Sequence, residues 1–203
     1  MKIQEVTSSK QEKEFLELPI KLYKNEPHWI RPLDKDLNSV FDREQNKAFR
    51  NGECIRWILV NDQKETIGRV AAFVNQKTVK KGNDQPTGGM GFFECIQDQQ
   101  AAFILFDKCK EWLQSKGMEA MDGPINFGTR DRWWGLLVNG FEREPNYQCN
   151  YNFPYYKRDE YTLPALVIPL CLNTGNHSPD HGPSLQLFPP ALDLQPLSPT
   201  GKK

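Results

Sequence analysis

"MGFFECIQDQQAAFILFDKCKEWLQSKGMEAMDGPIN", residues 90 to 126, holds three consecutive patterns. Met90 to Gln97 is short, apolar and aromatic, as a strand requires. From Gln99 to Lys116 the period lengthens: Ala102, Leu105, Phe106, Cys109, Trp112 and Leu113 share one helical face, while Gln100, Lys108, Glu111 and Gln114 point elsewhere. Asp98 stands where an N-cap belongs and Gly117 where a helix stops. Met118 to Asn126 then reads as a second strand. Strand, crossover helix and strand predict a parallel pair joined right-handedly.

Upstream the signals are antiparallel. "CIRWILV", Cys54 to Val60, and "TIGRVAAFV", Thr66 to Val74, flank a polar turn at Asn61 to Lys64 and predict a hairpin. A polar loop with Lys77, Lys80, Lys81 and the Gly88-Gly89 pair leads to the strand at Met90, so three strands make a meander. Before them, Lys2 to Val6 is a strand, and Ser9 with Glu12 forms a capping box for a helix through Phe15, Leu18 and Leu22. Pro19 is expected to kink or split that helix. Asp34 to Phe41 is a second helical piece. The predicted class is α/β (α+β), a mixed sheet in which an antiparallel meander is followed by a β-α-β parallel pair.

Composition bounds the function. Lys plus Arg and Asp plus Glu number 26 each, so no global field favours nucleic acid or an anionic membrane. Cys54, Cys95, Cys109, Cys149 and Cys171 are odd in number and widely spaced, which reads as reduced thiols and not as a metal site. The polar amino terminus carries no signal-peptide core, and the run Leu163 to Leu172 is too short for a bilayer and broken by Pro164 and Pro169. Together these predict a cytoplasmic protein. Eight of the 15 prolines fall from Tyr161 onward, so residues 1–160 are expected to fold and 161–203 to form a proline-rich, disordered tail.

"GPINFGTRDRWWG", residues 123 to 135, leaves the second parallel strand. Gly123, Pro124 and Gly128 set backbone shape, and Trp133 and Trp134 are expected to pack under the sheet. Arg130, Arg132 and Trp133 are candidates to meet a substrate, with local ion pairing as the alternative for the arginines.

The blocks "WIRPLDKDLNSVFD", "RWILV", "IGRVAAFVN", "GGMGFFECI", "MDGPINFGTRDRWWGLLVNGF" and "NYNFPYY" resemble the GNAT-type N-acetyltransferase superfamily, and within it a bacterial GNAT-like group, over residues 5 to 157. The resemblance implies acetyl-CoA held between two splayed parallel strands and a small-molecule primary amine as acceptor. It assigns the pantetheine contacts to Glu94, Cys95 and Ile96, and the phosphate cradle to Gln97, Asp98, Gln99, Gln100 and Ala101. It gives Asn126 a place beside the cofactor and makes Tyr155 or Tyr156 the acid for the leaving thiolate. Glu94, or a water it orders, is the matching base for the amine proton. Its alternative role, between Phe93 and Cys95, is a solvated strand face or a buried ion pair.

Two departures stand out. The cradle reads "QDQQAA", without glycine or a basic residue, and a capping Asp98 would occupy the N–H donors a pyrophosphate needs. After the tyrosine pair the chain lacks the strands the resemblance implies, so the domain reads as incomplete, with a second GNAT-like half or a homo-oligomer as its expected partner. The alternative function is a non-catalytic module of the same fold.

Overall fold

The structure is a computed structural model, and it describes residues 1–82, 85–129 and 131–157. The proline-rich tail expected over 161–203 lies outside the described residues, as do Arg130 and Cys171.

The elements run β1 (Lys2–Glu5), α1 (Ser9–Leu22), α2 (Asp34–Phe41), a 3-10 turn (Lys47–Arg50), β2 (Gly52–Val60), β3 (Thr66–Asn75), β4 (Thr87–Cys95), α3 (Gln99–Ser115), β5 (Ala120–Asp122) and a second 3-10 turn (Pro154–Lys157). The sheet order is β1-β2-β3-β4-β5. All neighbours are antiparallel except β4 and β5, which are parallel. This is the predicted mixed sheet.

Alternation along β3 sorts the two faces. Val70, Ala72 and Val74 join Leu105, Cys109 and Leu113 of α3 in one core, while Ala71 packs with Phe15 of α1, and Phe73 with Leu37, Val40, Phe127 and Trp133. Helices therefore cover both sides, giving three layers.

Several local expectations shift. The capping box at α1 uses Ser8 and Gln11, one residue earlier than Ser9 and Glu12. Pro19 sits inside α1, which runs unbroken from Ser9 to Leu22. The carbonyl that the missing Pro19 N–H would have met belongs to Phe15, and it accepts instead from Arg69 Nη1 at 2.7 Å. Strand β4 starts at Thr87, taking in the Gly88-Gly89 pair assigned to the loop. Glycine is needed there because a Cβ at Gly88 would lie 2.4 Å from a Leu113 methyl and one at Gly89 2.2 Å from the Phe73 ring.

Strand β5 is three residues long, much less than Met118 to Asn126. Its pairing with β4 covers Thr87↔Ala120 to Gly89↔Asp122, and after Ile125 N–H meets the Met90 carbonyl at 2.8 Å the two strands part. The chain then crosses β4 at Gly91, where a Cβ would fall 2.0 Å from the Ile125 carbonyl oxygen. Beyond that crossing β3 is the only strand paired with β4 among the described residues. Between Arg69↔Glu94 and Ala71↔Gly91 the register shifts, so Phe92 and Phe93 oppose Val70 alone. This bulge, with Phe92 at φ +52, bends β4 where it leaves β5.

Candidate functional site

Glu94 lies just past the bulge, directly opposite Arg69 on β3, on the sheet face covered by α1. Both side chains are buried. Arg69 Nη2 stands 3.8 Å from Glu94 Oε1. The Tyr23 hydroxyl, at the C-terminal end of α1, donates to Oε2 at 2.6 Å, and the Tyr156 hydroxyl lies 3.2 Å from the same oxygen. Burial pushes the Glu94 carboxyl up to about 7, opposed by the Arg69 charge and the two phenols. Burial, then the Glu94 charge, raises both Tyr23 and Tyr156 well above the ordinary phenol value. Burial also pulls Arg69 below its ordinary value, with Glu94 opposing. The outcome is a carboxyl that exchanges its proton near neutrality, flanked by two phenols that stay protonated.

The cleft over Glu94 is framed by the α1–α2 connection (Trp29, Ile30), the bulge (Phe92, Phe93), Trp133 and Tyr156, and encloses about 60 Å³. That is room for a handful of waters. Two donors lining it, Arg69 Nε and Trp133 Nε1, are buried without a hydrogen-bond partner. They are the complement of an oxygen acceptor.

The free edge of β4 is occupied. Because Ile96 N–H bonds the Ile67 carbonyl at 3.0 Å, the N–H and carbonyl of Cys95 point away from β3. The Cys95 N–H donates to the Tyr156 hydroxyl at 2.8 Å, and its carbonyl accepts from the Tyr155 hydroxyl at 2.8 Å. Both tyrosines thus stand where the resemblance puts pantetheine. At the start of α3, Asp98 accepts from the Ala101 N–H at 3.1 Å, so it is the N-cap read from the sequence. Gln97, Gln99 and Gln100 are exposed around it. With the helix donors capped by a carboxylate and the strand edge taken by phenols, the residues present do not fit the coenzyme at this place.

The remaining candidates separate. Trp133 is buried in the core with Leu37 and Phe127 and lines the Glu94 cleft. Asn126 and Arg132 line a different, polar groove on the far side of the 123–135 loop. The Asn126 carboxamide donates to the Thr129 carbonyl at 3.2 Å. Sequence reasoning missed Arg69 and Tyr23. Arg69 had a signal, a lone charge in an apolar strand that pairs with another such strand; Tyr23 had none. No group of His, Cys, Asp or Glu able to hold a metal occurs among the described residues, nor any helix long and apolar enough to cross a membrane.

No family model matches the chain. Curated relatives include the bacterial ceramide synthase of Caulobacter vibrioides, 28% identical over 133 residues, covering 66% of this chain and 34% of the relative. Another is protein YghO of Escherichia coli K12, 28% identical over 149 residues, covering 71% of this chain and 36% of the relative. The chain spans about a third of the length of these relatives. Solved structures with a similar arrangement include a GNAT-family acetyltransferase of Staphylococcus aureus, with TM-score 0.43 and 15% identity over 62% of this chain and 74% of that one. A second is an aminoglycoside 6'-N-acetyltransferase of Acinetobacter haemolyticus, with TM-score 0.44 and 17% identity over 62% of this chain and 81% of that one.

Proposed function

We propose that the chain serves N-acyl transfer to a primary amine, with Glu94 as the base that takes the amine proton. The observation that carries this reading is the buried Glu94 carboxyl, raised to about 7 and held by Tyr23 and Tyr156. A base with a proton affinity near ambient pH is what an attacking amine needs. Tyr156, 3.2 Å from Glu94, is the phenol that returns a proton to a leaving group. The unpartnered Arg69 Nε and Trp133 Nε1 would receive the oxygen on which charge develops. An acyl thioester of the acetyl-CoA type is the donor in this reading; its coenzyme part is not assigned to the capped start of α3.

The rim supports one class of acceptor in this reading. Ile30 is 51% exposed at the cleft and Leu33 60% exposed beside it on the same connection. An amine carrying an alkyl chain suits that rim, and the ceramide synthase relative is named for making an N-acylated long-chain amine. The test is to incubate the protein with acyl-CoA donors and either sphinganine or a short water-soluble amine, and to score amide by mass spectrometry. Amide from sphinganine, reduced about 100-fold in Glu94→Gln, is the expected result.

A second reading is a non-catalytic module of the same fold, supporting a further domain or a second copy. The Asp98 cap and the Tyr155–Cys95–Tyr156 bonds favour it. Absence of saturable acetyl-CoA binding, unchanged by Asp98→Gly, together with no amide product, would select this reading over the first.

A further inference from the structure

The loop at 123–135 divides two cavities, and the second has a chemistry of its own. It lies between α2, the 3-10 turn at Lys47–Arg50, the end of β3, residues 126–129 and Arg132, and encloses about 490 Å³. That volume falls in the range of about 300 to 1,000 Å³ typical of small-molecule sites. Its lining carries three cations, Lys47, Lys77 and Arg132, and no carboxylate. Among the described residues neither lysine is paired with an acid. The Arg132 Nε is anchored on Thr129 Oγ1 at 3.1 Å; a Thr129 side-chain hydrogen bond, helped by the Arg132 charge, holds the exposed Asp131 carboxyl, its chain neighbour outside the lining, below the ordinary value.

Carboxamides supply the rest of the lining. Asn46 is spent on the fold, donating to the Val40 and Phe127 carbonyls at 2.7 and 2.8 Å and accepting from the Ala48 N–H at 2.9 Å. Asn51 and Asn75 differ. The Asn51 carboxamide makes no hydrogen bond among the described residues, and Asn75 uses only Oδ1, on the Lys77 N–H at 3.1 Å. Asn126 is 3% exposed, and its Oδ1 is buried without a partner. Carboxamides that offer both donors and acceptors suit hydroxyl groups, and two lysines without an acid partner beside an anchored arginine suit a dianion.

We infer that this groove binds a phosphate monoester borne on a hydroxylated carrier, with Lys47, Lys77 and Arg132 on the phosphate and Asn51, Asn75 and Asn126 on the hydroxyls. The carrier is either a free sugar phosphate or a lipid head group. The inference does not rest on the reading of the Glu94 cleft, and the two fail separately.

The full chain is titrated with ribose 5-phosphate, with ribose as control, and with vesicles of phosphatidylcholine carrying either phosphatidylinositol 4-phosphate or, as control, phosphatidylinositol. Nuclear magnetic resonance follows the side-chain amides of Asn51, Asn75 and Asn126. Saturable shifts with ribose 5-phosphate and not ribose identify a free ligand; binding only to the vesicles that carry phosphatidylinositol 4-phosphate identifies a lipid one. In either case Lys47→Gln with Lys77→Gln should weaken binding at least about tenfold, since hydrogen bonds to charged groups are the strong ones. Glu94→Gln should leave it unchanged. Absence of both kinds of binding, or affinity unaltered in the double variant, overturns the inference.

Discussion

Arg69 donates a 2.7 Å hydrogen bond to the carbonyl of Phe15, the one carbonyl of α1 that Pro19 leaves without its helical donor. A proline that would ordinarily weaken a helix instead opens a docking point for a buried guanidinium. The same guanidinium faces Glu94 at 3.8 Å, so the proline, the arginine and the carboxylate form one unit across two layers. Arg69→Met removes the cation and leaves Glu94 and the Phe15 carbonyl buried together. Breaking a buried pair from one side costs about 3 to 5 kcal/mol. The loss should be larger at pH 8 than at pH 5.5, where Glu94 is neutral. Urea unfolding at the two pH values measures it, and equal losses would contradict the pairing.

Glu94 gives stability a definite pH slope. Its carboxyl is raised from 4.5 to about 7 in the folded chain, so between these values the folded state binds more protons than the unfolded one. Stability contributed by Glu94 is therefore fully present below about 4.5 and is lost as pH rises to about 7, by ~3 kcal/mol in all. Glu94→Gln cannot titrate. The difference in unfolding free energy between the variant and the parent should shift in favour of the variant by that amount from pH 4.5 to pH 8. Parallel profiles for the two proteins would show that the carboxyl titrates normally.

Elements with a strong period were legible, and the site was legible only where chain-local chemistry marks it. The 3.6 period over Gln99 to Lys116 marked α3, which runs Gln99–Ser115, and Asp98 announced its cap because capping is a local bond. The Gly88-Gly89 pair was misleading because glycine marks both loops and close packing, and only the position of Leu113 and Phe73 decides between them. β5 is shorter than its apolar run because the backbone leaves the sheet to cross Gly91, a tertiary event. Glu94 stood out as a charge in an apolar strand and Arg69 bears the same mark without having been read, because their pairing depends on a bulge that no spacing encodes. Tyr23 reaches Glu94 across 71 positions of chain, with nothing local to mark it.

Gly91 is the point where that crossing is tightest. A Cβ placed there would sit 2.0 Å from the Ile125 carbonyl oxygen, a backbone atom that no rotamer change can move aside. Gly91→Ala should displace the 123–127 segment and cost about 1 to 3 kcal/mol, as overpacking does. The indole of Trp133, buried beside Phe127 and against Phe92, reports the displacement through its fluorescence. An alanine variant with parent stability and an unshifted emission would mean that the crossing is loose.

Tyr156 holds both the catalytic candidate and the strand edge, so its hydroxyl can be removed to separate them. In Tyr156→Phe the Cys95 N–H loses its 2.8 Å acceptor, and Glu94 keeps the shorter bond from Tyr23. Leaving a buried N–H unpaired costs about 1 to 3 kcal/mol. Tyr155→Phe should cost less, because the Tyr156 hydroxyl, 3.3 Å from the Cys95 carbonyl, can turn its single proton there from Glu94, which keeps the Tyr23 bond. The freed edge is what an extended amide chain such as pantetheine pairs with. Combined with Asp98→Gly, which uncovers the Ala101 N–H, Tyr156→Phe should therefore gain acetyl-CoA affinity over the parent in equilibrium dialysis. If the double variant binds no better, the phenols and the cap are not what keeps the coenzyme out.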